Sequence, residues 1–379
     1  MQTVLDEFSE RIRDAAACGR ALRIRGGGSK DFHGQRLHGE LLETAALRGI
    51  VSYQPTELVV TAYAGTALAE LEATLGASGQ SLPFEPPYFA PNAQGGSASV
   101  GGMVAAGLSG PARASVGAVR DHVLGVKLIN GRGEQLTFGG QVMKNVAGYD
   151  ISRLMVGAMG TLGLLTEVSL KVAPLSAAQA TLRFEVDQAG ALAQLHRWGG
   201  LPLPLNASCW FRDPAAVGPG WLYLRLRGAR AAVDAACSRM LQELAGQAMD
   251  GALAAAHWQA VRDLQLPFFQ GPQADGLALW RLSLPQTTPV LDLPWPQCIE
   301  WHGGLRWLRA PQGAAAQLRD AARKRGGHAS IFQAAADARA ADVARFTPLE
   351  QPLLGIHQRL KREFDPAGVL NPGRMYAEF

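Results

Sequence analysis

The chain has little of what marks a secreted, membrane-spanning or metal-binding protein. Its four cysteines (Cys18, Cys209, Cys237 and Cys298) are widely spaced without a Cys-x-x-Cys pair, so the sequence spells neither a zinc site nor an iron–sulfur cluster. Its histidines show no His-x-His or His-x-x-x-His spacing, which gives no support for a catalytic metal. There is no apolar run of transmembrane length, and the first residues lack an apolar core. We therefore expect a reduced, cytoplasmic chain.

Two further absences concern charge and nucleotide motifs. The 36 basic and 32 acidic residues leave a net charge of only +4, which favours no polyanion, so we expect no nucleic-acid partner. No Gly-Lys-Ser or Gly-Lys-Thr follows a glycine run, which excludes a Walker loop, and the Gly-x-Gly-x-x-Gly dinucleotide fingerprint is not matched. The length of 379 residues predicts two domains.

Glycine, by contrast, is abundant, with 44 residues that cluster in the first half of the chain. One cluster, Arg-Gly-Gly-Gly-Ser-Lys at 25–30, follows a segment at 21–25 that alternates like a half-buried strand. Others lie at 95–102 and 160–163. Because glycine permits positive φ and lets backbone N–H groups converge on an anion, such a loop can hold a pyrophosphate. The alternative is a tight surface turn.

These clusters, with two further motifs, resemble the FAD-binding domain of the vanillyl-alcohol oxidase flavoprotein superfamily. The matching segments lie in family order at 24–29, 96–105, 123–127, 148–150 with 160–163, and 364–373 (Phe-Asp-Pro-Ala-Gly-Val-Leu-Asn-Pro-Gly). The resemblance covers roughly residues 20 to 172 and 350 to 379. Within the superfamily the chain is most similar to the FAD-binding subunits of bacterial glycolate oxidases.

The resemblance implies an α+β fold with a vanillyl-alcohol oxidase (PCMH-type) FAD-binding domain and a second, smaller α+β covering domain. We place the FAD-binding domain at 1–172, with 346–379 returning to it, because the composition changes after Pro174 and few glycine clusters follow. The covering domain is then 173–345. Local patterns predict a hairpin around residues 130–133, a strand over 164–172 and a last helix over 353–364.

The resemblance also implies which residues contact FAD. Phosphate-facing loops would lie at 25–30 and around 97–102, where a side chain at either Gly101 or Gly102 would collide with the cofactor. For the segment at 109–117, which would pass beneath the flavin ring, and for Asn371, near that ring, the alternatives are an ordinary loop and a turn residue before proline. Leu165 would offer backbone hydrogen bonds to the adenine side. The implied FAD contacts are Arg25, Gly26, Gly27, Gly28, Ser29, Lys30, Ser97, Gly101, Gly102, Ser109, Gly110, Gly117, Gly160, Thr161, Leu165 and Asn371.

Two departures from the superfamily bear on chemistry. Many relatives attach the flavin to a histidine of the first glycine loop, whereas here that loop has none and His33 lies further along, so we expect non-covalent FAD. The metal-binding histidine pair and the Gly-His-x-Gly-Asp-Gly-Asn motif of related 2-hydroxyacid dehydrogenases are also missing.

The nearest substitute for those motifs is the segment 300–307, where His302 could take a hydroxyl proton while Arg306 holds a carboxylate. The alternative is a structural sheet face of alternating Trp and Arg.

The resemblance implies a glycolate oxidase subunit that acts with a large FAD-containing subunit and an iron–sulfur subunit to oxidise a small 2-hydroxyacid, with membrane association only through the complex. Whether this flavin meets substrate or only relays electrons stays open. Two other functions also stay open: a self-sufficient FAD oxidoreductase, and a structural subunit stabilised by its flavin.

Overall fold

A computed structural model describes residues 1–36, 38–89, 97–140, 149–213, 218–270, 276–335 and 343–379. The chain divides into two compact units. The first contains Met1–Leu108, Ala118–Leu175 and Pro348–Phe379, and the second contains Ser109–Gly117 and Ser176–Thr347. The predicted boundaries at 172 and 345 fall close to this division, but the prediction assigned 109–117 to the first domain and the structure assigns it to the second.

Helices and strands alternate irregularly through both units. The helices are α1 Gln2–Cys18, α2 Leu68–Ala77, α3 Val100–Ala106, α4 Arg113–Val116, α5 Ile151–Leu154, α6 Gln188–Gly199, α7 Arg230–Glu243, α8 Gly251–Arg262, α9 Pro267–Gln270, α10 Ala315–Arg323 and α11 Leu353–Phe364. The strands of the first unit are β1 Leu22–Arg25, β2 Glu40–Glu43, β3 Ile50–Gln54, β4 Val59–Tyr63, β5 Gln80–Ser81, β6 Val123–Ile129, β7 Gln135–Gly139, β8 Leu164–Lys171 and β9 Ala173–Pro174. Those of the second are β10 Ala178–Glu185, β11 Leu205–Phe211, β12 Trp221–Gly228, β13 Gln247–Ala248, β14 Leu277–Ser283, β15 Gln297–Glu300, β16 Leu305–Pro311 and β17 His328–Gln333.

The first unit is built on a five-stranded antiparallel sheet in the order β3-β4-β8-β6-β7, beside a parallel β1-β2 pair and a small β5-β9 pair. The predicted hairpin is confirmed as β6 and β7, with Ile129 opposite Gln135. The predicted strand at 164–172 is confirmed as β8, which is buried on both faces over most of its length. Helix α1 buries Phe8, Ile12 and Ala15 in the core because they recur at helical spacing.

The second unit is an eight-stranded antiparallel sheet in the order β13-β10-β12-β11-β15-β16-β14-β17. Helices α6 and α7 pack on one end of one face around Trp198, which is fully buried. Helix α10 packs on the other end through Leu318 and Ala322. No helix among the described residues is long and apolar enough to cross a membrane.

Candidate functional site

The glycine loop after β1 meets the second glycine loop directly. A Cβ on Gly27 would overlap the carbonyl of Ser97, and a Cβ on Gly26 would overlap the hydroxyl of Ser99. Glycine is therefore required at both positions by contact between the two loops. The structure thus brings together Gly26, Gly27 and Ser97, three residues that the sequence analysis singled out.

Gly101 lies in the first turn of α3, and its N–H is held by the protein's own backbone. Gly101 N–H donates to the Ala64 carbonyl at 2.7 Å, and a Cβ on Gly101 would stand 2.7 Å from the Ala64 Cβ. Contact with Ala64 is therefore enough by itself to exclude a side chain at Gly101, and the predicted collision with a cofactor stays a prediction.

Gly102 is packed less tightly than Gly101. It lies within α3, and its N–H donates to Ser99 Oγ at 3.2 Å. A Cβ on Gly102 would meet only Ser99 Oγ, at 3.0 Å. Glycine inside a helix costs roughly 0.5–1 kcal/mol relative to alanine. The backbone packing of the described residues does not explain why that cost is accepted here.

Polar side chains hold the last part of the chain against β1 and the third glycine loop. Asn371 Oδ1 accepts from Ile24 N–H at 2.7 Å, and Asn371 Nδ2 donates to the Met159 carbonyl at 2.6 Å. Gly160 has φ +74°, and a Cβ there would lie 2.6 Å from Asn371 Nδ2. Asn371 therefore bridges β1 and the third glycine loop. The sequence had suggested two other roles for it, a flavin contact and a turn.

A buried ion pair anchors the same region. Lys361 Nζ donates to Asp365 Oδ2 at 2.7 Å, to the Thr161 carbonyl at 2.8 Å and to the Leu370 carbonyl at 2.7 Å. Asp365 accepts in turn from the N–H groups of Val369 and Leu370. Burial lowers the pKa of Lys361, and Asp365 opposes that shift. We call Lys361, Asp365 and Asn371 the C-terminal clamp.

The remaining predicted residues of the first unit are structural neighbours of these loops. Arg25 lies 2.8 Å from Asp31 and 3.7 Å from Glu43, so its charge is balanced within the unit. Lys30 Nζ contacts Ser29 Oγ at 3.3 Å and lies 5.6 Å from the Phe89 ring centroid. Gly28 has φ +76°, in the range that glycine adopts readily.

Leu165 and Thr161 lie on either side of the start of β8. Pairing of β8 with β4 ends at Glu167, so Leu165 extends beyond its neighbour strand on that side while it pairs with Leu128 of β6 on the other. The Thr161 hydroxyl donates to the Ala158 carbonyl at 2.7 Å and serves the local turn. The backbone of Leu165 is thus not paired with β4. Its predicted hydrogen bonds to the adenine side of FAD stay a prediction.

The segment with Ser109, Gly110 and Gly117 belongs to the second unit, which corrects its predicted placement. Trp301 Nε1 donates to the Gly110 carbonyl at 3.0 Å, and Ser115 Oγ lies 3.2 Å from His302 Nε2. Gly117 ends α4 with φ +92°. Contacts with residues far along the chain decide where this segment belongs, and a local glycine pattern does not reveal them.

His302 occupies an unusual left-handed turn after β15. Trp301, His302 and Gly303 have φ values of +53°, +55° and +101°, and the first two are not glycine. Such residues cost about 1–3 kcal/mol each and persist only when their surroundings hold them. Here His302 N–H donates to Ser208 Oγ at 2.8 Å. Burial lowers the pKa of His302 to about 4, which makes it a weaker base than an ordinary histidine.

Arg306 has a structural position. Its side chain is fully buried, with Nε donating to the Gly303 carbonyl at 3.0 Å and Nη2 to the Thr288 carbonyl at 2.8 Å. In the sheet it pairs with Leu282 and Ile299 of the apolar, helix-covered face. The structure gives no support to the prediction that Arg306 holds a substrate carboxylate, because the side chain is closed to solvent and its Nε and Nη2 are bonded to backbone, while Nη1 has no partner among the described residues.

Two parts of the predicted motifs, Gly95-Gly96 and Gly148, lie outside the described residues. In the part of the chain that the structure does describe, no group of three or more His, Cys, Asp or Glu side chains could hold a metal ion. Lys361 and its pairing with Asp365 were not predicted from the sequence. The signal was visible, because Lys361 stands four residues before Asp365 at the end of the predicted last helix.

The loops of the first unit fit an FAD. Parts of three predicted cofactor segments, at 25–30, 97–102 and 160–161, are drawn together by loop contact and by the C-terminal clamp. At Gly102, Ser99 Oγ is the one described atom that a Cβ would meet. An open backbone surface of this kind lets N–H groups and carbonyls approach a bound nucleotide.

Comparison with known proteins supports the same assignment. The family described as "FAD binding domain" matches residues 3–139. The glycolate oxidase subunit GlcE of Escherichia coli (strain K12) is 45% identical over 378 residues, a match that covers 100% of this chain and 97% of that protein. The mitochondrial D-lactate dehydrogenase [cytochrome] of Arabidopsis thaliana is 29% identical over 38% of this chain and 25% of its own length.

Solved structures confirm the fold class. The 4-ethylphenol oxidase from Gulosibacter chungangensis matches 98% of this chain and 88% of its own with a TM-score of 0.71 at 14% identity. Alkyldihydroxyacetonephosphate synthase matches 96% of this chain and 74% of its own with a TM-score of 0.63 at 15% identity. The predicted α+β fold with a PCMH-type FAD-binding domain is therefore confirmed.

Proposed function

Because the chain belongs to the family of the glycolate oxidase subunit GlcE, and so carries FAD as a flavoprotein of that family, we propose that it serves as the FAD-binding subunit of a complex that oxidises glycolate to glyoxylate. The observation that carries this proposal is the 45% identity along the whole chain, which spans both units and not the FAD-binding domain alone. The match of residues 3–139 to an FAD-binding domain supports the cofactor independently.

In this proposal the backbone of the loops at 25–30 and 97–102 holds the phosphates, and Leu165 holds the adenine side. When bound, FAD accepts the hydride that leaves the α-carbon of a 2-hydroxyacid. The cofactor is held without a covalent bond, because the segment 25–30 contains no histidine. The C-terminal clamp positions the loops and contributes no chemistry of its own.

We further propose that electrons leave through an iron–sulfur subunit and that a large FAD-containing subunit completes the complex. Two observations support a dependence on partners. Among the described residues no cluster of His, Cys, Asp and Glu could hold a metal. His302, the predicted base, has a pKa near 4 and is buried beside Ser115 and Ser208. The proposal places the chain in the cytoplasm, with any membrane attachment made through the other subunits.

The test compares the isolated chain with the reconstituted complex. We expect the purified, FAD-loaded chain to reduce a phenol-indophenol dye with glycolate very slowly or not at all, since a positioned acid–base group alone contributes about 10² to 10⁴ in rate. Addition of the large flavoprotein and iron–sulfur subunits should restore turnover. Rapid oxidation of glycolate or lactate by the isolated chain would refute the subunit assignment and favour a self-sufficient oxidoreductase. An unchanged flavin redox state during turnover of the complex would instead favour a structural role.

A further inference from the structure

The second unit carries an arginine on the face of its sheet opposite to Arg306. Arg281 lies in β14, where it pairs with Trp307 of β16 and with Ser330 of β17. Paired residues of antiparallel strands share a face. Arg281 and Trp307 therefore face away from the apolar surface that Arg306 shares with Leu282 and Ile299.

Two tryptophans form a platform for the guanidinium of Arg281. Its Cζ lies 5.1 Å from the ring centroid of Trp301 and 5.9 Å from that of Trp307. The Cζ of Arg113 lies 4.5 Å from the same Trp301 ring. Both indoles are fixed, because Trp301 donates to the Gly110 carbonyl and Trp307 donates to Glu300 Oε1. The guanidinium is thus presented on a rigid aromatic surface.

Arg281 donates no side-chain hydrogen bond and forms no ion pair with any residue that the structure describes. A guanidinium carries five N–H donors, and groups of this kind are normally satisfied where they are partly buried. Burial, followed by the positive charge of Arg113, lowers the pKa of Arg281 to about 10, and the charge of Glu300 opposes that shift. The guanidinium thus has a carboxyl group nearby but makes no ion pair with it within the described residues.

The acidic neighbour of Arg281 is Glu300, which interacts with it through charge and not through a hydrogen bond or ion pair in the described residues. Glu300 is buried and accepts from Trp307 Nε1 at 2.7 Å, and it forms no ion pair with a described residue. Burial raises the pKa of Glu300 to about 7. The pKa of His328 is lowered by partial burial and by the charges of Arg281 and Arg113. The ionisation of Glu300 is thus disfavoured by burial, although the charge of Arg281 favours it.

We propose that Arg281, on its platform of Trp301 and Trp307 and beside Arg113, binds the carboxylate of a small 2-hydroxyacid. This inference rests on the proposed function and names the residue that would recognise the substrate class. A guanidinium matches a carboxylate with two parallel N–H to oxygen bonds, which fixes the orientation of the ligand as well as its charge. The negative charge of the ligand also complements the positive charge of Arg281.

The test measures glycolate binding to the full-length, FAD-loaded chain by calorimetry, with ethylene glycol as the neutral analogue that lacks the carboxylate. Arg281→Gln should raise the dissociation constant of glycolate by about 10- to 100-fold, the effect of losing charge-assisted hydrogen bonds. Arg281→Lys should recover part of the affinity because it keeps the charge without the planar fork. Arg325→Gln makes the same change at an exposed arginine of the same unit and should bind as the wild type does.

Retained FAD absorbance and an unchanged melting temperature would show that Arg281→Gln is folded. Equal glycolate affinity of that folded variant and the wild type would overturn the inference, as would phosphate binding that depends on Arg281 without any glycolate binding. The inference and the proposed function fail separately. Loss of glycolate binding on substitution of Arg281, with no oxidation by the reconstituted complex, supports the site and contradicts the function. Turnover by the reconstituted complex with an unchanged KM for glycolate in Arg281→Gln supports the function and contradicts the site.

Discussion

Lys361→Met removes the cation at the centre of the C-terminal clamp and should destabilise the first unit. The substitution leaves Asp365 as a buried charge without its partner, and it leaves the carbonyls of Thr161 and Leu370 without their donor. Methionine has a similar length, so the change removes polar contacts more than volume. The effect should therefore come from electrostatics and hydrogen bonding.

The magnitude follows from the burial of the pair. The Lys361 side chain is 5% exposed and that of Asp365 is 0% exposed. Removing one partner of a buried pair typically costs about 3–5 kcal/mol, against a total free energy of unfolding of about 5–15 kcal/mol for a domain. Because Lys361 also binds the carbonyl next to Gly160, we expect FAD to be lost at lower denaturant concentration.

The assay must separate the two units. All eight tryptophans lie between residues 198 and 307, within the second unit, so tryptophan fluorescence does not report on the first. Release of flavin fluorescence during urea titration measures the first unit instead, and far-UV circular dichroism measures both. Arg362→Met is the matched control, since it removes the same charge from the next, exposed position of α11. The control should stay within about 0.5 kcal/mol of the wild type.

A Lys361→Met variant that releases FAD at the same urea concentration as Arg362→Met would refute this reasoning. It would mean that the contacts of Lys361 add no net stability, which is the known outcome when the desolvation of a buried pair cancels its attraction. If Lys361→Met does lose stability, the double variant Lys361→Met with Asp365→Asn identifies the cause. Recovery of stability in that double variant would assign the loss to the stranded carboxylate.

Three further predictions concern the cofactor and the second unit. Acid precipitation should leave the yellow colour in the supernatant, and colour in the pellet would contradict non-covalent FAD. Gly102→Val should lower FAD occupancy without unfolding the chain. Gly76→Ala, whose Cβ would meet nothing within 4 Å, should keep full occupancy. Equal occupancy in both variants would contradict a position of Gly102 beside the cofactor. Burial raises the pKa of Glu300 from 4.5 to about 7 in the folded state. The wild type should therefore lose up to about 3 kcal/mol of stability as the pH rises from 4.5 to about 7, because Glu300 keeps its proton in the folded state after it has lost it in the unfolded state. In Glu300→Gln that loss should disappear from urea titrations followed by tryptophan fluorescence at about pH 5 and pH 8, and an identical pH dependence would exclude Glu300 as its source.

Local patterns predicted the elements whose signals are contained in a short window. The last helix, Leu353–Phe364, has the predicted bounds, because its apolar spacing is visible within the segment itself. The β6–β7 hairpin was readable from the turn residues between its strands. The superfamily resemblance supplied the fold class, which no single motif could.

Features that depend on distant partners could not be predicted in this way. Nothing in the sequence of residues 109–117 reveals that Trp301 holds Gly110. The packing of Gly101 against Ala64, 37 positions earlier in the chain, was likewise not visible in the sequence. Arg306 was predicted because the pattern near His302 was conspicuous, whereas only the strand register shows that Arg306 shares the apolar face with Leu282 and Ile299.

The clamp has a consequence for how the protein is made. Asn371 and Ile24, which are bonded directly, lie 347 positions apart, and residues 369–371 run beside β1 through Val369 and Leu370. A ribosome therefore completes the whole second unit before it releases the residues that close the first. Synthesis proceeds at about 5–20 residues per second, so β1 and the first glycine loop wait for tens of seconds without their final contacts. Chains cut short before Lys361 would emerge with the second unit intact and the cofactor loops unclosed.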